Sequence, residues 1–517
     1  MTRQNSASSS ASMQWRFDIV DERDTIAFAR MIAPALQRGD LLTLSGDLGS
    51  GKTAFARALI RALTHDDQLD VPSPTFTLIQ TYETKNFPLI HCDLYRLRDP
   101  DELIELGFDD LSYESLTLVE WASHAPGVEG RATLDIDLSL KPDISPECRI
   151  IVVTAKGMIS DRIKSVMDVA ALLAPTGWLI AEREMIAGDA SGQFFERLRQ
   201  DDKTAILMHA PKPFAGPILR DGKTYRALAR LSDTLSSFVT MARALRSEQV
   251  SAPEIYAVDV ENGLALVEDF GIEGIVKDQE PLSDRYHEAV AVLARLHSRD
   301  LAQRIQSGIN EYYFLPAYDL EPLLTEVELF LEWYHPAFSK SSLSDDARAQ
   351  FFTIWKDLID PCLRDPQTWT LRDFHSPNLF WLAHREGDRR IGVIDIQDAV
   401  YGHPAYDLAS LLQDARVPIP ESLELDLIKH YTDLREAADS SFALDQFLHA
   451  YAIYGAQRVT KILGIFVRLD RRDHKPDYLR HLPHMRAYLR RNLSYPALAP
   501  LKNWFLMFVP DLFEGTP

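Results

Sequence analysis

The stretch "GDLGSGKT", residues 46–53, places residue types that do phosphate chemistry at the spacing that chemistry needs. It fits G-x-x-x-x-G-K-S/T through Gly46, Gly51, Lys52 and Thr53. Gly49 and Ser50 are also small, so the loop from Gly46 through Asp47 and Leu48 can curl until successive N–H groups point at one phosphate. The apolar run Leu41–Ser45 before it reads as a buried strand, and Thr53–Leu63 after it has helical periodicity. The loop therefore opens a helix, whose dipole adds positive potential at the anion. In such a site Lys52 reaches the β- and γ-phosphates and Thr53 gives an oxygen to Mg²⁺. An acid must stand near the metal at the end of a neighbouring strand. Glu120, ending "LTLVE", and Asp93, ending "LIHCD", are the two candidates.

A second stretch does different phosphate chemistry. "LRDFHSPNL" holds Asp373 and Asn378, and "GVIDIQDA" places Asp395 after a short apolar strand. This is the D-x-x-x-x-N…D arrangement of protein-kinase-like phosphotransferases. Asp373 would orient and deprotonate an attacking hydroxyl. Asn378, at the far end of the loop, and Asp395 would bind Mg²⁺. One ATP site rarely needs both signatures, so two proteins are read as joined in one chain.

The elements that must position these residues agree. A length of 517 residues exceeds one hydrophobic core and suggests about two to four domains. Strands at "FPLIHCD", "SLTLVEW", "ATLDIDLSL" and "RIIVVTA" around the glycine-rich turn predict an α/β domain over residues 14–157, after a disordered tail at 1–13. Residues 158–177 read as a linker with a leading helix over 160–173, and the boundary is placed near 158–164. Residues 178–271 read as a strand-rich lobe with one helix, and 272–517 as a helical lobe. The fold class expected is an α/β P-loop NTPase domain followed by a protein-kinase-like, bilobal α+β domain.

Composition bounds the partners. A net charge of -21 argues against general affinity for nucleic acid or anionic membrane. The scattered Cys92, Cys148 and Cys362 show no CxxC spacing and read as reduced thiols in a cytoplasmic protein. No apolar run approaches the roughly 18 residues of a spanning helix, and the N-terminus lacks the apolar core of a signal peptide. The C-terminal "NWFLMFVPDLF" reads as a helix closing the last core, with a membrane foot as the alternative. His91 has no second His or Cys at ligand spacing and reads as structural.

Five motifs, "GDLGSGKT", "SPTFTLIQTYE", "HCDLYRL", "ELGFDD" and "VEWAS", together resemble TsaE, the ATPase subunit of the machinery that makes N6-threonylcarbamoyladenosine in tRNA. The resemblance implies that Lys52 and Thr53 bind ATP and Mg²⁺, with Glu120 as the second metal ligand. It implies that Asp93 assists hydrolysis, that Thr75 sits in a switch-like loop sensing the γ-phosphate, and that Trp121 lies beside the nucleotide. The implied partners are TsaD-like and TsaB-like subunits, with no direct sequence-specific nucleic-acid contact.

"IDIQDAVYGHPAYDLASLL" resembles the aminoglycoside phosphotransferase family, in which the acid at Asp407 ties the catalytic loop to a helix. "GDASGQFFERL", "AILMHAP" and "ALVEDFG" resemble one subgroup more closely, the anomeric kinases of N-acetylmuramate and N-acetylglucosamine, the AmgK type. By that resemblance the loop containing Ser191 covers the phosphates, and backbone groups near Glu268 and Phe270 meet adenine. A small sugar would be the acceptor. Two positions depart from the pattern. Leu371 stands where a loop histidine is usual, and Met208 where a phosphate-pairing lysine is expected, with Arg197 and Lys212 the cations nearby in sequence. Two alternatives stay open for this half: another hydroxyl acceptor (aminoglycoside, choline-like or amino-acid alcohol), or a non-catalytic interaction module.

Overall fold

The computed structural model describes residues 12–513 except 100, 146, 187–192, 214–215, 233, 309–310 and 340. Its first sheet contains β1 (Met13–Ile19), β2 (Leu41–Ser45), β3 (Ile79–Glu83), β4 (Pro88–Asp93), β5 (Leu116–Glu120), β6 (Leu134–Leu140) and β7 (Arg149–Ala155), in the order β1-β7-β6-β2-β5-β4-β3. β2 runs parallel to both β5 and β6, and β4 parallel to β5. The central β2, "LLTLS", is buried over its first four residues because a parallel strand is covered on both faces. The outer pairs β1–β7, β6–β7 and β3–β4 are antiparallel.

Helices cover the two faces of this sheet. α1 (Glu22–Ile32) starts at Asp21, whose carboxylate accepts the N–H groups of Arg23 and Asp24. Phe28 of α1, Phe55 and Leu59 of α2 (Lys52–Thr64), and Ile163 and Met167 of α6 (Ile159–Leu173) pack in one core with Leu42, Leu118 and Ile136. Alternate strand residues Ile90 and Val119 meet the short helices α3 (Glu102–Glu105), α4 (Phe108–Glu114) and α5 (Pro126–Glu129) through Leu103, Phe108 and Val128. The structure adds β1, β3 and α1 to the elements legible in the sequence. β1 already includes Met13, which the sequence reading placed in the tail, while residues 1–11 lie outside the described residues.

The chain forms two compact units. One comprises residues 1–187, 194–209 and 256–266, and the other 188–193, 210–255 and 267–517. A second sheet has the order (Ile255–Asp259)-(Leu264–Glu268)-β10-β9-β8, with β8 (Glu182–Ile186), β9 (Phe194–Gln200) and β10 (Lys203–His209). Leu198, Ala205, Leu207, Leu264 and Leu266 of this sheet share the core that holds Ile163 and Met167 of α6. The compact division therefore falls further along the chain than residues 158–164, because α6 and the second sheet bury apolar faces in one cluster. The strand-rich segment carries two helices, α7 (Tyr225–Leu228) and α8 (Leu235–Ser247), where the sequence suggested one.

The remaining helices are α9 (Ser283–His297), α10 (Leu320–Leu329), α11 (His335–Phe338), α12 (Asp345–Cys362), α13 (Ala405–Leu412), α14 (Glu421–Ala438), α15 (Leu444–Asp473), α16 (Leu482–Asn492) and α17 (Ala499–Phe508). α15 is the spine, with α10, α13 and α16 against it. Gly464 permits its close approach, since a Cβ there would lie 2.4 Å from the Leu329 carbonyl carbon. Two short ladders, Leu379–Trp381 with Ile391–Val393 and Thr368–Thr370 with Val400–Gly402, frame the stretch around Asp373. α17 buries Trp504 and Phe505, and Trp504 packs 4.6 Å from Phe351 of α12, so the C-terminal helix does close a core. Among the described residues no helix is long and apolar enough to cross a membrane.

Candidate active sites

The strand–loop–helix reading of residues 41–64 holds, and its glycines are there for geometric reasons. Gly46 has φ +129°, and a Cβ on it would lie 2.1 Å from the Leu138 carbonyl oxygen, so no other residue fits. Gly49 (φ +83°) and Gly51 (φ +106°) complete the curl. Leu48 stands out from the loop, 77% exposed. α2 begins at Gly51 without a side-chain cap, which leaves its first amides for an anion. Ser50 Oγ is buried with no hydrogen-bond partner among the described residues. Lys52 Nζ donates to the carbonyls of Gly46 (2.8 Å) and Asp47 (2.9 Å), and stands 4.0 Å from the centre of the Trp121 ring. Burial lowers its pKa, against the opposing pull of Glu120, Asp93 and Asp47.

Both candidate acids come to this loop at the ends of adjacent parallel strands, where Asp93 and Glu120 are register partners. Thr53 Oγ1 donates to Glu120 Oε2 at 2.9 Å, and the other Glu120 oxygen meets His91 Nε2 at 3.0 Å. His91 thus fixes a carboxylate, as a structural residue would. Asp93 Oδ2 accepts from Thr75 Oγ1 (2.8 Å) and Ser73 Oγ (2.5 Å), and its Oδ1 accepts the Tyr95 N–H. Ser73 is a site residue that sequence reasoning missed. So is Arg149 of β7, whose Nε donates to the Ser50 carbonyl at 2.9 Å across 99 residues of chain. Among the described residues no group of three or more His, Cys, Asp or Glu could hold a metal unaided. Mg²⁺ takes one or two protein oxygens and completes its shell with phosphates and water, and Thr53 Oγ1 with Glu120 Oε2 could supply those oxygens. The orphaned Ser50 hydroxyl, the uncapped helix and the Thr53–Glu120 pair fit a Mg²⁺–nucleotide.

In the second compact unit the catalytic-type loop is pinned from behind. Asp407, wholly buried at the start of α13, accepts the backbone N–H of Leu371 at 2.7 Å and of Arg372 at 2.8 Å. Arg372 has φ +65°, and Asp395 φ +59°, left-handed conformations that cost a side-chain-bearing residue energy and cluster at working sites. Asn378 Nδ2 donates to the Asp373 carbonyl (2.9 Å) and lies 3.3 Å from Asp395 Oδ2, so the loop turns back on itself and brings Asn378 and Asp395 together. Gln397 Nε2 holds Asp395 Oδ1 at 2.5 Å. Asp373 keeps its carboxylate partly exposed, with His375 Nε2 4.0 Å away. Its depth works to raise its pKa, but the positive charges of Lys461, Arg372 and Arg458, with the neighbouring His375, outweigh this and lower it. The Asp373 carboxylate is therefore ionised and ready to accept a proton.

The other predicted positions are placed as follows. Glu268 donates its N–H to the Glu254 carbonyl and pairs its carboxylate with Arg246 and Arg385. Phe270 is buried 6.1 Å from Phe380, over Gly392, where a Cβ would strike its ring. Met208 is buried in β10. Ser191 lies outside the described residues. Sequence reasoning missed Glu326 of α10 and Lys461 of α15, which no local motif marks. Glu326 is wholly buried and receives Arg372 Nη2 (2.5 Å), Lys461 Nζ (2.8 Å), Tyr318 OH (2.6 Å) and Gln457 Nε2 (3.1 Å).

Comparison with known proteins matches both halves. The family model "Threonylcarbamoyl adenosine biosynthesis protein TsaE" covers residues 19–147, and "Phosphotransferase enzyme family" covers residues 183–440. A TsaE protein of Rickettsia felis is 34% identical over 145 residues, 28% of this chain and 84% of that protein. An N-acetylmuramate/N-acetylglucosamine kinase of Caulobacter vibrioides is 35% identical over 356 residues, 66% of this chain and 96% of that protein. The chain belongs to both families, TsaE first and the amino-sugar kinases after it. A kinase of the same description from Neisseria meningitidis is 32% identical over 275 residues, 51% of this chain and 77% of that protein. The two resemblances read from the sequence are thus the families of this fusion. The P-loop NTPase and protein-kinase-like fold classes, and the assignment as an ATP-using enzyme in each half, stand with them.

Proposed function

We propose that the TsaE half hydrolyses ATP in support of tRNA N6-threonylcarbamoyladenosine formation, and that the kinase half phosphorylates the anomeric hydroxyl of N-acetylmuramate or N-acetylglucosamine. The observation that supports this most is that each half brings its own acidic and metal-binding candidates together. Lys52, Thr53–Glu120 and Thr75–Asp93 converge in one, and Asp373 with Asn378–Asp395 in the other. ATP would supply the transferable phosphoryl group and Mg²⁺ the charge that offsets it. In the first half Lys52, Ser50 and the amides of α2 would bind the phosphates, Thr53 and Glu120 would hold the metal, and Asp93 would orient a water. In the second half Asn378 and Asp395 would hold the metal. Asp373 takes the proton of the acceptor hydroxyl at its carboxylate and keeps that oxygen aimed. Groups near Glu268 and Phe270 would line the adenine position.

TsaD-like and TsaB-like subunits are the partners this reading implies for the first half. The functional junction falls at residues 158–177, the α6 region, between the two family matches. The test is ATP consumption with each sugar as acceptor, the product being followed by phosphorus NMR, for wild type, Asp373→Ala and Lys52→Ala. A sugar 1-phosphate that disappears in Asp373→Ala and persists in Lys52→Ala is expected. No sugar phosphate from wild type would overturn the amino-sugar assignment.

A further inference from the structure

The loop with Leu371 in the usual histidine position carries a histidine two residues after the base instead, His375. Its backbone is fixed on both sides. Its N–H donates to the Asp373 carbonyl at 3.0 Å, and its carbonyl accepts the Asn378 N–H at 2.9 Å. Ser376, next to it, gives its N–H (2.9 Å) and its hydroxyl (2.5 Å) to Oδ2 of the wholly buried Asp414. His375 Nδ1 is buried with no hydrogen-bond partner among the described residues. Nε2 faces Asp373 Oδ1 at 4.0 Å, too far for a hydrogen bond. Burial lowers the pKa of the ring, which is therefore neutral near neutral pH and carries one proton. That proton belongs on Nε2, toward the carboxylate, because Nδ1 has no acceptor to donate to. Both side chains keep an open part, 38% exposed for Asp373 and 14% for His375. A proton acceptor and an N–H donor thus stand 4.0 Å apart, and one oxygen fits both: placed about 2.8 Å from each, it meets them at close to a right angle.

We propose that His375 is a second catalytic residue of the kinase half, whose Nε2–H donates to the acceptor oxygen while the hydroxyl proton of that oxygen is donated to Asp373 Oδ1. This rests on the amino-sugar reading of the kinase half. A hydroxyl oxygen has one proton and two lone pairs. Asp373 takes the proton, His375 meets one lone pair, and the other is left for phosphorus. In the step the proton passes to Asp373 Oδ1, the oxygen bonds to the γ-phosphorus, and ADP leaves. The His375 N–H meets the negative charge that grows on the oxygen as its proton goes, so this bond is strongest in the transition state. Asn378 cannot supply it, because its amide is given to the Asp373 carbonyl and to Asp395. Arg372 cannot either, since its guanidinium is committed to Glu326 and to the carbonyls of Ala229 and Arg230.

The experiment uses the full chain as wild type, His375→Gln and His375→Asn. The glutamine amide reaches as far as Nε2, whereas the asparagine amide stops at the level of Nδ1. For whichever of the two amino sugars wild type phosphorylates, kcat and KM are measured. Calorimetry compares the affinity for that sugar with the affinity for its 1-deoxy analogue, which lacks the accepting hydroxyl. His375→Asn is expected to lower kcat/KM about 10- to 100-fold, mainly through kcat, and His375→Gln to stay within about five-fold of wild type. The preference for the sugar over its analogue should shrink about two- to ten-fold in His375→Asn and persist in His375→Gln. His375→Leu, which keeps the volume and has no donor, should follow His375→Asn, and ATP hydrolysis by the TsaE half checks that each variant folds. Equal losses of kcat in the glutamine and asparagine variants, or an unchanged sugar-to-analogue preference, would overturn the proposal, leave His375 a packing residue and spare the amino-sugar reading. Turnover of neither sugar by wild type would remove both.

Discussion

Asp407→Asn tests how the kinase half builds its loop. The Asp407 carboxylate is fully buried and spends one oxygen on each of two successive amides, at 2.7 and 2.8 Å. An asparagine of the same shape keeps one acceptor and turns an NH₂ toward the other amide. One buried N–H loses its partner, and the surviving bond loses its charge. A charge-assisted bond contributes about 1.5–3 kcal/mol, and a neutral one about half as much. The loop should therefore lose about 2–4 kcal/mol of local stability. That corresponds to roughly 30- to 1,000-fold faster amide exchange at Leu371 and Arg372. Loosening the loop displaces Asp373, where an ångström can cost about 100-fold in rate. Hydrogen exchange read by mass spectrometry on the peptide containing Leu371, together with sugar-phosphate formation, measures both effects. ATP hydrolysis by the TsaE half serves as an internal control for overall folding. Exchange and turnover both within two-fold of wild type would refute the claim that this carboxylate holds the loop.

Gly46→Ala would place a methyl group 2.1 Å from the Leu138 carbonyl in a left-handed backbone. It is expected to lower the melting temperature and abolish TsaE-half ATP hydrolysis, as a thermal melt and a phosphate-release assay would show. Glu196 is the basis of a pH test. Burial would raise its carboxyl, but hydrogen bonds from His209 and Arg183 win and depress it from 4.5 to about 2. A depressed carboxyl stabilises the fold fully above its unfolded value and less as pH falls through its folded one. Urea melts of wild type should thus weaken between about pH 4.5 and 2, by up to about 3 kcal/mol, more steeply than those of Glu196→Gln. A fragment of residues 178–517 lacks α6 and should melt well below the full chain or aggregate, since its second sheet would expose Leu198, Leu207 and Leu266, as calorimetry and light scattering would reveal.

What was legible in the sequence was local. The loop of residues 46–53 and the Asp373–Asn378 loop each pack their chemistry into a few consecutive residues, with strand and helix patterns on either side. Asp93 and Glu120 were legible because an acid ending an apolar run marks the carboxyl edge of a parallel sheet, and the register does set them side by side. Ser73 escaped because a serine in a loop carries no signal until Asp93 is folded against it. Arg149 escaped because its contact to Ser50 spans 99 residues. Glu326 and Lys461 sit in helices that read as ordinary packing. A carboxylate in the apolar stretch "LLTEVELF" and a lysine in "QRVTKILGIF" were the only traces, and neither indicates a partner. Long-range pairing of single charges is set by helix packing, which periodicity cannot register.

The boundary between the two families is not the boundary of the packing. The family matches end at residue 147 and resume at 183, with α6 between them, as a simple fusion would require. Packing follows a different rule. Leu198, Leu207, Leu264 and Leu266 of the kinase-matched segment are 0–5% exposed in the same core as Phe28 and Phe55 of the TsaE half, with Ile163 and Met167 of α6 among them. Fully burying a leucine contributes about 1.5–3 kcal/mol, so four such residues represent up to about 6–12 kcal/mol, an upper bound set by the extended-chain reference. That is the scale of a whole domain's stability. The second sheet is therefore stabilised by the body that also carries the P-loop. A cavity cut at Met167 would weaken the P-loop sheet and the second sheet at once. The family boundary runs through this core, which ties the stability of the P-loop sheet to that of the second sheet.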